Sequence, residues 1–442
     1  MTKLAVLGGS PVIERERHGK WPIVDDDCKR AVMAVLERGV LSGSDAPEAR
    51  AFQEEFADFQ GAKHALLTHS GTSALQVAIG AQGIGEGDEV IVPAYSFVAT
   101  ALAVVTQGAI PIFVDVKADG NLDPAQLAGA ISERTKAIMP VHVHGNPADL
   151  DEILAFARKH GLRVIEDAAQ AHGATYAGKK VGTFDAGGGF SLQSSKNLSA
   201  GEGGVYVTDD EDALERANQI RNFAQNVLRG DGKHWDADRP LDGHKALVST
   251  GIGSMYRGNE MMAAFARVQL RKLGERTARA QENGARLAAA LRELPGVTPP
   301  ISEPNRKSVF HKYRVWMDPA AAGVDLAPAQ LRDAMLRALR AEGCEVVLWQ
   351  GDPMPSFPLF QDLRGYGKGF PFRAGDLERI RANYRAENFP GSRRLLDSSI
   401  VLFSQTCPLI AQDSATVDRY ADAFRKVWER RADLAEVART PR

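Results

Sequence analysis

Cysteine is scarce in this chain and poorly placed for structural chemistry. Three cysteines in 442 residues, Cys28, Cys344 and Cys407, stand far apart, are odd in number and form no CxxC pair. That pattern excludes a disulfide framework and argues against a structural zinc site. An excess of one charge is also missing: 54 Lys and Arg oppose 56 Asp and Glu, for a formal net charge of -2. No field is left to collect a phosphate backbone or an anionic lipid surface, so neither nucleic acid nor membrane is an expected partner. No apolar run is long enough to span a bilayer, and Leu4-Ala5-Val6-Leu7 is too short for the apolar part of a signal peptide. A soluble cytoplasmic protein is expected. Gly8-Gly9 follows that run, but GxGxxG and the acid of a βαβ unit are both absent, so a dinucleotide site is not indicated. Repeats and low-complexity tracts are lacking as well.

What is present is a globular composition, 44% hydrophobic and 25% charged, with material for a large core in two structural parts. From Lys63 to Asp210 short apolar runs alternate with amphipathic segments, the pattern of an α/β fold with a mostly parallel, seven-stranded sheet. The strands read Ala65-Thr68, Glu89-Val92, Pro111-Val116, Lys136-Val141, Arg163-Asp167, Gly188-Leu192 and Val205-Thr208. Helices are expected at Thr72-Ile79, Ser96-Thr106, Asp123-Ile131 and Asp149-His160. Past Asp210 come a helix to Arg221, a polar insertion Arg229-Gly253, and two helices, Glu260-Leu273 and Glu275-Leu294. The proline-rich stretch Pro295 to Pro304 marks a boundary, giving a large part at 1–295 with an N-terminal arm and a smaller α/β part at 296–442. That smaller part carries helices at Ala327-Glu342 and Thr416-Arg431.

Ligands of such sheets bind beyond the C-terminal strand ends. There Lys196 lies between the apolar run Phe190-Ser191-Leu192 and the turn Gly201-Glu202-Gly203-Gly204. A desolvated lysine has a lowered pKa and a free amine that attacks carbonyls, so Lys196 reads as a Schiff-base lysine. Ser70-Gly71-Thr72-Ser73 follows a strand and opens a helix, where it is either an anion site or an ordinary N-cap. Ser191, five positions before Lys196, offers a second hydroxyl to the same anion. Asp167 closes the run Val164-Ile165-Glu166-Asp167; it either caps the next segment or keeps a pyridine nitrogen protonated. Gln170 and His172 are polar groups for a ring hydroxyl or a substrate, or satisfied structural residues. Phe97 is a stacking face or a core aromatic. His142-Val143-His144 places two imidazoles on one strand face with no third ligand, so no metal is expected.

Together Ser70-Gly71-Thr72, Pro93 to Thr100, Glu166 to Ala174 and Ser191 to Gly204 resemble the DegT/DnrJ/EryC1/StrS family of pyridoxal-phosphate sugar and cyclitol aminotransferases. The resemblance runs from about Gly8 to the C-terminal helix. It implies a fold type I transferase, a pyridoxal 5'-phosphate cofactor and a homodimer with active sites at the interface. By it Lys196 would carry the cofactor as a Schiff base and act as the proton-transfer base. Asp167 would pair with the ring nitrogen and Gln170 with the ring hydroxyl; Ser70, Gly71, Thr72 and Ser191 would hold the phosphate, and Phe97 would stack on the ring. His172, His311, Tyr313 and Trp349 are substrate contacts expected from position. The family's Gly-x-Asn-x-Arg reads Gly253-Ser254-Met255-Tyr256-Arg257 here, so Met255 replaces an asparagine expected to reach the other subunit's phosphate; either Asn259 or a residue of the Arg229-Gly253 segment substitutes, or the phosphate is held more loosely. Phe-Ser-Leu-Gln-x-x-Lys and Pro-Val-His-x-x-Gly look most like the branch of glutamine-dependent scyllo-inosose aminotransferases and aminohydroxybenzoate synthases. Transfer of an amino group from L-glutamine or L-glutamate to a keto-cyclitol or keto-sugar is the expected activity. The rivals are an eliminating dehydratase on the same scaffold, whose relatives tend to replace the lysine kept here, and a non-catalytic regulatory protein.

Overall fold

The computed structural model describes residues 3–14, 17–43, 46–225, 228–229, 235–236, 249, 251–301 and 303–439. Its main sheet is of the expected kind. Ile110–Val114, Glu89–Pro93, Thr135–Ile138 and Arg163–Val164 lie side by side and parallel. Glu166–Asp167 continues the sheet parallel to Gly188–Ser191, and Gly204–Thr208 runs antiparallel between that strand and His64–Thr68. Glu89–Pro93 and Ile110–Val114 are buried throughout, as strands covered on both faces must be, and they are correspondingly rich in Val and Ile.

The expected strand Arg163-Asp167 is broken at Ile165. Its first half pairs with Thr135–Ile138 and its second with Gly188–Ser191, while an isolated bridge joins Val141 to Asp167. Asp167 therefore stands at the seam between the two halves of the sheet. Gly71–Ala81, Ala99–Thr106 and Leu150–His160 match expected helices closely. Asp123-Ile131 instead forms a 3-10 turn, Pro124–Gln126, and a four-residue helix, Leu127–Ala130.

The two helices expected around Gly274 are one, Glu260–Arg292, of 33 residues. A glycine inside a helix weakens it by only about 1 kcal/mol, and Gly274 has open space where a Cβ would stand. The helix joins two cores: Met262, Ala266, Leu270 and Ala280 pack with Phe52, Phe56 and Phe190, and Leu287 and Leu291 pack with the C-terminal part. That part is built on Val297–Thr298, Tyr313–Met317, Ser399–Leu402 and Val346–Val347, all antiparallel, under Pro328–Ala341 and Ser414–Glu429.

Two stretches cross the boundary expected at 295. Leu4 and Ile13 join the C-terminal core, with Ala5 N–H donating to Glu342 Oε1 at 2.9 Å. Conversely Phe360, Phe372 and Tyr384 pack around Phe113 in the core of the parallel sheet. The Arg229-Gly253 insertion lies mostly outside the described residues. No described helix is long and apolar enough to cross a membrane.

Candidate active site

The end of strand His64–Thr68 and the start of helix Gly71–Ala81 form a tight corner against Ser191. Ser70 and Ser73 make a reciprocal capping box: Ser73 N–H donates to Ser70 Oγ and Ser70 N–H to Ser73 Oγ, both at 3.1 Å. The Ser70 hydroxyl is thus engaged by the helix rather than left for a ligand. The first helical hydrogen bond runs from Ala74 N–H to Ser70 O, so the Gly71 and Thr72 N–H groups precede it at the positive end of the helix. Gly71 is required by close approach: a Cβ there would lie 2.6 Å from Ser191 Cβ. The approach leaves the helix N-terminus, Thr72 and the Ser191 hydroxyl around one spot, a suitable cradle for a phosphate. Gly71→Ala is expected to cost about 1–3 kcal/mol of stability and to weaken phosphate-dependent ligand binding; unfolding in urea and equilibrium binding of the phosphate ligand measure the two effects.

Asp167 is buried, with Oδ2 accepting from Thr100 Oγ1 at 2.6 Å and Oδ1 from Ala169 N–H at 3.1 Å. Thr100 bonds in turn to Ser96 Oγ at 2.9 Å. Burial raises the Asp167 pKa, against the hydrogen bonds and the charges of Lys196 and His142. Among the described residues no cation forms an ion pair with it. Between Ser96 and Thr100, Phe97 keeps 53% of its surface exposed, unlike a core aromatic. Gln170 is buried, and its Oε1 accepts from His144 N–H at 2.9 Å, which leaves the amide NH2 as the free end.

Lys196 sits in a loop pinned from several sides: Leu192 N–H bonds Gly203 O, Ala200 N–H bonds Leu192 O, and Trp21 Nε1 bonds Lys196 O at 3.0 Å. Burial lowers its ammonium pKa from 10.5 to about 8, against the attraction of the Asp167 carboxylate. His172 is fully buried beside Phe190 and its pKa falls to about 3 by burial and the charge of Lys196, against a backbone interaction with Ser191. Burial and Lys196 hold His311 well below the ordinary histidine range too. The structure therefore gathers Lys196, Asp167, His172 and His311 into one electrostatic neighbourhood.

Tyr313 does not belong to it. It is fully buried in the C-terminal core, with its hydroxyl donating to Gly284 O at 3.0 Å. Alternation along the strand turns its neighbours, Lys312 and Arg314, the other way. Trp349 lies edge-on to Tyr95 and His144, at centroid distances of 5.4 and 4.9 Å. His142 and His144 share no strand face, because His144 adopts a left-handed φ of 59°. His142 bonds Glu166 at 2.8 Å, while His144 faces Tyr95 and Arg314. Sequence reasoning gave no role to Thr100, Tyr95, Lys312 or Arg314. Two cations spaced by two in the apolar run Tyr313–Met317 and its approach were the available signal.

The sequence profile of the DegT/DnrJ/EryC1/StrS aminotransferase family matches residues 22–374. The chain belongs to this family. It is 36% identical to an L-glutamine:scyllo-inosose aminotransferase of Streptomyces griseus, over 99% of this chain and 100% of that protein. It is 39% identical to an L-glutamine:2-deoxy-scyllo-inosose aminotransferase of Streptomyces lividus, over 78% and 80%. Among solved structures, 3-amino-5-hydroxybenzoic acid synthase superposes with a TM-score of 0.78 at 28% identity, covering 93% of this chain and 100% of that one.

Within the DegT/DnrJ/EryC1/StrS frame, the segment that departs at Met255 is well defined. Met255 bridges to Asn222 and keeps 44% of its surface exposed. Asn259 caps the long helix, its Oδ1 accepting from Met262 N–H at 2.9 Å, which leaves its amide NH2 as the donor that a phosphate would need. Arg257 and Arg221 lie close enough that the charge of Arg257, after burial, helps lower the Arg221 pKa to about 9.

Proposed function

We propose that this aminotransferase uses pyridoxal 5'-phosphate to move an amino group from L-glutamine or L-glutamate to a keto-cyclitol or keto-sugar. The observation that carries the reading is the Lys196 amine, with its proton affinity lowered to about 8, beside the buried carboxylate of Asp167 at the seam of the sheet. The residues fit the cofactor: Gly71 brings the helix N-terminus up to the Ser191 hydroxyl, a pairing of donors suited to a phosphate, Asp167 is a buried acid suited to a cationic partner, and Phe97 offers an exposed aromatic face. When bound, pyridoxal phosphate supplies an electron-accepting ring that stabilises negative charge at the donor's α-carbon.

Lys196 Nζ then takes the proton from that carbon and returns one in the second half-reaction, a task suited to an amine with a pKa near the working pH. Asp167, fixed by Thr100 and Ala169, would hold the proton of the ring nitrogen. The nitrogen leaves the donor as its α-carbon becomes a ketone, and the acceptor ketone becomes an amine. The names of the relatives from Streptomyces support a keto-cyclitol acceptor and a glutamine donor. A cytoplasmic homodimer fits the reading, supported by the exposed apolar surface of Phe223, Ile252 and Met255, of which Ile252 is 96% exposed.

The experiment is incubation with α-15N-labelled L-glutamine and scyllo-inosose, followed by mass analysis. A labelled amino-cyclitol is expected. A dehydrated product without nitrogen would replace this reading with elimination.

A further inference from the structure

Two buried donors, Lys312 Nζ and His144 Nδ1, lack an acceptor among the described residues, and the Arg314 guanidinium adjoins them. Lys312 and Arg314 are both buried. Among the described residues Lys312 Nζ has no hydrogen-bond partner. Arg314 bonds only neutral groups, donating to Tyr95 OH, Ser399 Oγ and His144 Nε2. His144 Nε2 also receives the Tyr95 hydroxyl at 3.0 Å, since that hydroxyl already accepts from Arg314. With two donors on Nε2, the imidazole proton belongs on Nδ1, and that N–H is buried and unpartnered. His144, Lys312 and Arg314 line one cavity. Asp119 also lines it, but its carboxylate is engaged by Asn121 and Arg306.

A buried ammonium without a counterion is strongly unfavourable, so the fold carries a standing demand for an anion here. Asn197, the residue after Lys196, donates to Val309 O at 2.8 Å, three residues before Lys312, and the charge of Lys196 is felt at His144, His311 and Lys312. The phosphate cradle at Gly71 and Ser191 is a different set of residues.

We propose that Lys312, Arg314 and the Nδ1–H of His144 bind the α-carboxylate of the amino donor. The inference rests on the aminotransferase reading, because an α-amino acid brings a carboxylate one carbon from its nitrogen whereas a cyclitol ketone is neutral. Burial and Lys196 lower the Lys312 ammonium pKa to about 8; a bound carboxylate raises its affinity for the proton.

Glutaramate, which is glutamine without its amino group, cannot transaminate and serves as the probe, with the neutral glutaramide as its control. By calorimetry on the holoenzyme, glutaramate is expected to bind more tightly than glutaramide. Lys312→Met should erase that preference without lowering the melting temperature, since it removes an unpaired buried charge. In ping-pong kinetics each kcat/KM reports its own half-reaction. Lys312→Met should lower kcat/KM for the donor on the order of 100-fold and leave that for the ketone unchanged, with partial rescue in Lys312→Arg. Equal binding of the two probes, an unaffected donor kcat/KM, or a loss confined to the ketone overturns the proposal. If Lys312→Met does not fold, the comparison of probes on the wild type still decides. If no amino acid transaminates, the functional reading fails separately, and the glutaramate preference still reports whether a carboxylate site exists.

Discussion

Replacing Lys196 by alanine is expected to lower kcat by at least about 10⁴-fold, since one amine both holds the cofactor and moves the proton. The protein should remain folded. The loop keeps its shape through backbone bonds at Leu192, Ser194 and Ala200 and the Trp21 contact to the Lys196 carbonyl, none of which uses the ammonium. Circular dichroism and steady-state turnover on the same sample separate loss of chemistry from loss of structure. Turnover within tenfold of wild type would remove Lys196 from the mechanism.

The same residue leaves a mark on stability. An unfolded lysine holds its proton up to about 10.5, and folded Lys196 only up to about 8. Between these values the unfolded state carries more protons, so stability rises with pH across that window. Lys312 contributes in the same window and with the same sign. Lys196→Met is expected to flatten this rise in part, and melting curves from pH 8 to 10 measure it.

Asp167→Ala is the second large effect. In the proposed mechanism this buried carboxylate keeps a ring nitrogen protonated, and removing one preorganised electrostatic partner of a developing charge costs roughly 10²–10³ in kcat, about 3–4 kcal/mol. Asp167→Asn should lose nearly as much. The amide preserves size, its single oxygen can accept from Ala169 N–H while its NH2 donates to the Thr100 hydroxyl, and it brings no charge. An Asp167→Asn enzyme with wild-type kcat would show that the hydrogen-bonding scaffold, and not the charge, is what matters at this position.

The parallel sheet was legible because strands buried on both faces must be apolar along their whole length, as in Glu89–Pro93 and Ile110–Val114. Lys196 and Asp167 were legible for the converse reason: an ionisable residue directly after such a run has to be explained. Ser70 had two compatible readings, cap and ligand, and the capping box with Ser73 depends on rotamers that residue order does not give. Tyr313 failed through strand parity. Which of two adjacent residues faces the cleft depends on which side of the sheet the core lies, and the core here takes Tyr313 and leaves Lys312 and Arg314 lining the cavity with His144. Gly274 misled because a helix exposed at that point tolerates glycine. The placement of Leu4 and Ile13 on the far core rests on contacts to residues over three hundred positions away, such as Glu342, beyond the reach of any local pattern.

The central claim is that Lys196 and Asp167 form the working centre of a cofactor-dependent amino transfer. Its most direct test is the visible spectrum of the purified protein reconstituted with pyridoxal phosphate, recorded before and after L-glutamine or L-glutamate is added without any acceptor. The account predicts a visible band that depends on Lys196, bleaches with at least one donor, and returns when a keto-cyclitol is supplied. A protein that forms no such band, or whose band ignores both donors, would contradict it.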